Sequence, residues 1–503
     1  YRSAGFASLS PVSDSRPDGE RQHYGLTLAV LLVAALAYAL SQTMVAPALP
    51  DIQRELGATT TQVTWVLTVY LLTASVATPV LGRLGDILGK ERILVLVLSL
   101  FGLGSLVAAL SHSIEVLIAG RAIQGAAGAV FPLAFGIIRD EFPRERVATG
   151  IGLISATFGI GGSAGLVLSG VIVDHLSYEW LFWLALIVTA IALVATHLFV
   201  PESPVRAKTS IDWAGAGLLS AGLVCLLVGV SYGNDWGWES ARVIGLFLVA
   251  AAILAGWVWF ENHTEEPLVD MRMMRLRGVW TTNLTGLLIG FGMFGSFILI
   301  PQFVQTPEVA GYGFGASVTK AGVFLLPSAA VMLVAGPIAG LLANRFGSRL
   351  PLLIGTLVAA ASFALLATAH SQPWQIYLSG ALLGVGIGLS FASMANLIVE
   401  AVDPSQTGVA TGMNTIMRTI GGALGGQICA SIVAGHISAG SRFPAESGFT
   451  QAFAVSTAAV ALAFVAALAI PRPRRKGPDR SDGDNAITAG VERPAQTLPL
   501  TSR

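Results

Sequence analysis

Along most of this chain apolar residues continue for twenty or more positions before a charge interrupts them, with none of the alternation of a half-buried strand. A run of about 20 apolar residues is what an α-helix needs to cross a bilayer. Fourteen such windows lie near 24–49, 63–82, 93–111, 114–138, 146–172, 179–200, 211–231, 241–260, 278–304, 318–342, 349–369, 374–400, 407–433 and 450–470. Membrane strands are shorter, about 10 residues, and alternate. The pattern therefore predicts an all-α integral membrane protein. The polar turn Ser111-His112-Ser113 separates the third window from the fourth, which otherwise run together.

The charges between the windows set an orientation. With the N-terminus inside and fourteen crossings, inside segments hold 23 of the 29 Lys and Arg residues. Outside segments hold 4, and Arg121 and Arg418 fall within windows. Such an excess marks cytoplasmic loops, so both termini are expected in the cytoplasm. Trp65, Trp180, Trp183, Trp236, Trp238 and Trp374 fall near outer ends, and Trp213, Trp257, Trp259 and Trp280 near inner ends, as interfacial anchors do. Residues 1–23 are polar and lack the pattern of a signal peptide, so the first window is expected to stay as a helix rather than be cleaved. The segment from Pro471, rich in Pro, Arg, Asp and Gly, is expected to be a disordered cytoplasmic tail.

Composition narrows the function. Of the 503 residues 54% are hydrophobic and 12% charged, where a soluble domain carries about 25% charged residues. A net charge of zero gives no electrostatic case for nucleic acid. Cys225 and Cys429 lie in apolar windows and read as small core residues, with no metal site and no disulfide framework. There is no phosphate-binding glycine loop for direct ATP drive and no catalytic constellation, so no cofactor is expected and an enzyme or receptor is the remote alternative. The ratio of Arg to Lys, 25 to 4, points to GC-rich coding and a bacterial source.

The strongest local signal is Leu81–Leu94, LGRLGDILGKERIL, because it recurs in PIAGLLANRFGSRL, 258 positions on. Pro79, Gly82 and Gly89 align with Pro337, Gly340 and Gly347, and Asn344 stands where Asp86 stands. Val147-Ala148-Thr149-Gly150 recurs as Val409-Ala410-Thr411-Gly412 at offset 262, and the segment 117–120 resembles 377–380 at offset 260. Near-constant offsets imply two six-helix bundles with an inserted pair, windows seven and eight, between them. The expected boundaries are an N-terminal arm 1–23, a first bundle 24–200, the inserted helices and flanking loops 201–277, a second bundle 278–470 and the tail 471–503.

Within this plan several residues carry candidate chemistry. The loop between windows two and three groups Gly82, Arg83, Gly85, Asp86, Gly89, Lys90 and Arg92. Its glycines permit close helix approach, and Asp86 reads either as an ordinary loop acid or as a latch. A carboxylate there can accept hydrogen bonds from another helix N-terminus and pair with nearby cations, among which Arg139 and Arg144 are further candidates. Arg121 lies about 10 Å into window four and Arg418 about 16 Å into window thirteen, at 1.5 Å per residue. Ionised groups at such depths face a bundle interior or pair with backbone. For Arg418, pairing with backbone or Gln427 and contact with substrate stay open. Gln42, Asn283, Gln302, Asn396, Asn414 and Arg418 are the cavity candidates, most of the amides being equally explicable as helix-to-helix hydrogen bonds. Gly162, Gly165 and Gly170 read as packing positions, as do Gly152 and Gly159. No carboxylate lies deep in a window, and Asp51 is the favoured acid for proton binding.

These residues resemble the major facilitator superfamily, in particular its fourteen-helix drug:proton antiporter branch, over roughly residues 24–470. Leu81–Leu94 looks like the family's loop 2–3 signature and Leu117–Gly128, LIAGRAIQGAAG, like its helix-4 signature. Ser41–Pro50, SQTMVAPALP, resembles the branch's helix-1 signature, and Ile211-Asp212-Trp213 the start of its inserted helix. The resemblance implies a secondary transporter of the plasma membrane, a monomer that exports hydrophobic or amphipathic small molecules by alternating access in exchange for protons. It implies that Asp86 meets the start of helix 13 near 405–407, and that Arg121, steadied by Gln124, takes part in proton transfer. The chain departs from the branch at Ser41, where an aspartate is usual. It departs again at Gly165–Gly170, where Gly-Pro-x-x-Gly-Gly has lost its proline and one glycine, and at Tyr178-Glu179-Trp180, where Trp-Arg-Trp is usual. The alternative within the superfamily is an importer or facilitator of a small metabolite.

The topology is directly testable. Reporter fusions after Pro201 and in the C-terminal tail are both expected to report a cytoplasmic location. A C-terminus outside would require thirteen or fifteen crossings and would contradict the two-bundle plan.

Overall fold

In the computed structural model the described residues are 24–58, 60–203, 205–207, 210–436 and 443–471. The expected N-terminal arm lies outside them, as does the expected tail beyond Pro471. Fourteen helices among the described residues are long and apolar enough to cross a membrane. In chain order they are α1 (Tyr24–Glu55), α2 (Thr60–Leu88), α3 (Lys90–Ala109) and α4 (Ile114–Glu141). Next come α5 (Arg144–His175), α6 (Glu179–Phe199), α7 (Trp213–Ser231), α8 (Ala241–Glu261) and α9 (Arg277–Gln305). The last five are α10 (Val318–Phe346), α11 (Arg349–Thr368), α12 (Pro373–Ala401), α13 (Thr407–Ala434) and α14 (Glu446–Leu468).

Helix starts follow local chemistry. Ser113, Asp212, Ser240 and Ser317 cap α4, α7, α8 and α10 by accepting a backbone N–H, and Pro373 occupies the first turn of α12. The segment expected as a loop between the second and third helices is a correction to the sequence reading: α2 stays helical through Leu88 and α3 begins at Lys90. Only Gly89 interrupts them, at φ 116°, where a side chain would be strained. Its counterpart in the repeat, Gly347, has φ 81° at the end of α10. Helix α4 tightens into a 3₁₀ stretch at Gly125–Ala129. There a Cβ on Gly125 would lie 2.9 Å from the Tyr70 carbonyl and one on Gly128 2.9 Å from the Ala74 carbonyl, so α2 packs backbone to backbone.

Two six-helix bundles result, α1–α6 and α9–α14, with α7 and α8 packed on each other as the inserted pair. The bundles meet through α5 against α10 and α2 against α13, with α12 also touching α5 and α4 touching α13. Under the internal repeat α2 corresponds to α10 and α5 to α13, so the two main contacts are two versions of one. They differ in extent. The α5–α10 seam runs from Ala148 and Gly340 through Gly152 and Gly336 to Gly170 and Thr319. The close α2–α13 approach lies at the end of α2 and the start of α13, around Gly82 and Gly408 and around Thr78 and Gly412. Farther along, α7 packs against both α2 and α13, and Leu72, Leu219, Leu223, Ile416 and Ile420 belong to one buried cluster. The inserted pair thus covers the part of the interface where the two bundles do not touch through these helices.

Candidate functional site

At the end where α2 closes and α13 begins, the first bundle reaches into the second through one carboxylate. Asp403 caps the turn before α13 by accepting the Ser405 N–H and hydroxyl at 2.9 and 2.6 Å. Those bonds, the hydroxyl first, hold its carboxyl below the usual range. Helix α13 then starts at Thr407, and its first N–H groups have no partner within the helix. Asp86, fully buried in the last turn of α2, accepts two of them, Gly408 N–H at 3.1 Å and Val409 N–H at 3.2 Å. Glycine is required at both faces of this contact, since a Cβ on Gly82 would stand 2.8 Å from the Gly408 carbonyl. The positive end of the helix dipole and two charge-assisted bonds act on one anion here, at roughly 1.5–3 kcal/mol per bond.

Cations and a connecting segment surround that acid. Lys90, fully buried, lies 2.7 Å from Asp140 of α4 and 3.6 Å from Asp86. The Ser203 hydroxyl donates to the same Asp140 oxygen, Oδ2. The Ala207 N–H donates to the Asp86 carbonyl at 2.6 Å, so the segment that leads out of α6 is tied to the end of α2. Arg139 of α4 donates to the Thr407 hydroxyl at 2.5 Å and to the Val402 carbonyl at 2.8 Å, across the bundles. On the repeat-related side Asn344 donates to the Glu145 carbonyl at 2.7 Å, where α5 starts. One end pair is therefore joined by an anion accepting from the first N–H groups of a helix, the other by an amide donating to a carbonyl in the first turn of one.

The bundle interiors hold the two membrane arginines. Arg121, fully buried, donates to the Val66 carbonyl at 3.0 Å, the Ser41 carbonyl at 3.4 Å and Gln124 Oε1 at 3.0 Å, and its guanidinium lies 4.0 Å from the Tyr70 ring centroid. Gln124 in turn donates to the Ser105 hydroxyl at 2.7 Å. Arg418 of α13 lies 4.3 Å from the centroid of Phe391 and 5.1 Å from that of Phe158, rings of opposite bundles. The aromatic rings of Tyr70, Tyr38 and Phe158 form a contact chain from one arginine to the other. Arg418, Asn414, Thr411, Thr415 and Ser155 line an enclosed cavity with four phenylalanines, whose free volume of about 10 Å³ has room for about one water.

The expected site residues are distributed as follows. Gly82, Gly85, Asp86, Gly89 and Lys90 gather at the α2–α13 contact, with Gly85 facing Leu133 of α4. Arg92 pairs with Glu202 at 3.1 Å, and Arg83 donates to the Pro267 carbonyl at 3.4 Å. The helix start that Asp86 meets falls at 408–409, just beyond the expected 405–407. Asn414 and Arg418 line the cavity, Asn414 donating to Asn283 at 3.0 Å, and Asn396 sits beside the Ala148 carbonyl at 3.5 Å. Gln42 is half-buried, Gln302 exposed, and neither lines that cavity. Gly162, Gly165 and Gly170 face Phe297, Thr43 and Thr319. Asp51 pairs with Arg54 in the last turn of α1, about 15 Å along the helix from Ser41 at 1.5 Å per residue, and is not brought to Arg121. Sequence reasoning passed over Tyr38, Tyr70, Phe158 and Phe391; aromatic residues within apolar windows are ordinary, and only Tyr at mid-window offers a signal.

Asp86→Asn removes the charge and one acceptor while keeping the shape. Transport is expected to fall roughly tenfold or more, the factor given by about 1.4 kcal/mol, with membrane insertion unchanged. Arg139→Gln, which spares the helix-start bonds, is expected to cost less. Full transport by Asp86→Asn in vesicles, at equal protein levels, would reduce this acid to an incidental one.

With this geometry in place, comparison with known proteins assigns the fold a family. The model for the Major Facilitator Superfamily matches residues 31–426. The tetracenomycin C resistance and export protein of Streptomyces glaucescens is 31% identical over 80% of this chain and 74% of its own length. Multidrug transporter protein MdtP of Bacillus subtilis is 29% identical over 78% and 72%. Multidrug resistance protein 3 of the same organism is 29% identical over 76% and 74%. Among solved structures, the human organic anion transporter MFSD10 shares the fold, with a TM-score of 0.65 at 18% identity over 88% of this chain and 99% of that one. Fourteen helices in two repeated bundles and a family match over most of the sequence lead to one statement: this chain is a multi-pass membrane transporter that belongs to the Major Facilitator Superfamily.

Proposed function

We propose that this transporter exports hydrophobic or amphipathic compounds across the plasma membrane in exchange for protons, working as a monomer with both termini in the cytoplasm. The observation that carries alternating access is the Asp86 contact, a closed cytoplasmic end held across the bundles by the two hydrogen bonds to Asp86 and those from Arg139 rather than by a broad apolar interface. Contacts of that kind break and reform as units while each bundle keeps its own packing. The aromatic lining of the central cavity supports apolar cargo, and the names of the relatives, resistance and export proteins, support the outward direction. In this cycle the bundles rock about the α5–α10 seam, Asp86 and Arg139 close the cytoplasmic side, and substrate meets the face formed by Asn414 and Arg418.

Proton exchange is the remaining part of the proposal. Arg121 stays charged at physiological pH and is no proton carrier itself. Its role would be to hold α1, α2 and α4 in register through the Ser41 and Val66 carbonyls. The proton is assigned to Asp51, whose partner Arg54 must be released for it to titrate. In proteoliposomes, substrate addition is expected to drive proton movement in the wild type. Asp51→Asn is expected to lose that movement while keeping downhill substrate flux, and Arg121→Lys to slow both. Substrate flux without proton movement in the wild type would replace the antiporter by a facilitator, and coupled flux in Asp51→Asn would remove that residue from the proton route.

A further inference from the structure

The two buried arginines differ in how the protein treats them. Each lies in a helix interior, and an ionised group there needs compensation. Arg121 has most of it through Nε and Nη1, with two backbone carbonyls, the Gln124 oxygen and the Tyr70 face, and only its Nη2 is left without an acceptor among the described residues. Arg418 is 7% exposed, and among the described residues no carbonyl, amide or carboxylate oxygen accepts any of its N–H groups. Two ring faces flank the guanidinium, Phe391 from its own bundle and Phe158 from the other. Those rings fix the plane of the cation and leave its five donors free of acceptors. No Asp or Glu lines the cavity it faces, and neither arginine takes part in an ion pair among the described residues.

We infer that the transported compounds include aromatic organic anions, with the carboxylate or sulfonate of the cargo binding Arg418 and its ring system lying among Phe131, Phe135, Phe158 and Phe391. This rests on the transport reading above and narrows it from amphipathic compounds to acidic ones. A planar guanidinium gives an oxyanion two parallel hydrogen bonds, and Asn414 beside it, one of whose amide N–H groups donates to Asn283, has a second N–H to offer. A cationic drug would meet the same cavity with a like charge and no counter-charge. Because Arg418 lies against rings of both bundles, an anion bound there sits at the junction that must rearrange when the bundles rock.

The test uses the full-length protein in nanodiscs and three tritiated probes of one shape: 2-naphthoate, 2-naphthamide and 2-naphthyltrimethylammonium. Binding is measured by equilibrium dialysis. The wild type is expected to bind naphthoate on the order of tenfold tighter than the amide, and the ammonium most weakly. Arg418→Gln is expected to lose roughly 10- to 100-fold for naphthoate with less than about a threefold change for the amide. Arg418→Lys, which keeps the charge without the planar fork, should fall between. A wild type that fails to bind naphthoate, or prefers the amide or the ammonium, overturns the inference. So does an Arg418→Gln protein with an unchanged melting temperature that loses amide and naphthoate equally. Naphthoate binding without transport in proteoliposomes would count against the export reading alone. Transport of amide and ammonium without naphthoate preference would count against this inference alone.

Discussion

A helix that begins inside a protein presents N–H groups that need an acceptor, and here the acceptor belongs to the other half of the molecule. Asp86 ends α2, and Gly408 and Val409 begin α13. The bond requires the two backbones to approach until only glycine fits at Gly82, and it requires α2 to remain helical up to Gly89. Everything placed around it serves that anion or its neighbours: Lys90 against Asp140, Arg139 across to Val402 and Thr407, and Ala207 on the Asp86 carbonyl. Burial would make a lone carboxylate costly, and the cation and helix start together offset that cost.

The duplication gives the molecule two related interfaces of different character. The same helix pair occurs twice, and the copies have diverged in chemistry and in length of contact. At α5–α10 the end residue is Asn344, a neutral donor to Glu145, and small residues continue the seam to Thr319. At α2–α13 the charged contact is confined to the end where α13 begins, and α7 covers what lies beyond. A long neutral seam and a short charged one are suited to different tasks: the first to sliding or tilting in contact, the second to opening and closing. The proposed rocking motion rests on that asymmetry between two otherwise matched interfaces.

Much of the fold was legible in the sequence because membrane crossing imposes length, composition and charge asymmetry together, and because the repeat offsets gave the bundle boundaries. The latch was legible at Gly82, Asp86 and Gly89 for a physical reason: a positive φ and a backbone contact leave no choice but glycine, so both copies keep it at Gly89 and Gly347. Hydropathy could not show that α2 continues through Gly82–Leu88, since helix propensity and apolar length are separate properties. Nor could it separate Asn414 and Arg418, which line a cavity, from Gln302, which is exposed. That distinction depends on which face of a helix meets which neighbour, and long apolar helices give little periodicity to read. The ring chain from Arg121 through Tyr70, Tyr38 and Phe158 to Arg418 joins α4, α2, α1, α5 and α13, a coincidence of four interfaces that no spacing reveals.

The central claim is that the Asp86 carboxylate closes the cytoplasmic route to the cavity. Ala395 lines that cavity and is buried, so a cysteine there reports access. With Cys225 and Cys429 replaced by serine, inside-out vesicles carrying Ala395→Cys are treated with a membrane-impermeant maleimide. The account predicts slow labelling when Asp86 is present and labelling at least about tenfold faster in the Asp86→Asn background, where about 1.4 kcal/mol or more of the closed state's advantage is gone. Equal labelling rates in the two backgrounds would contradict it.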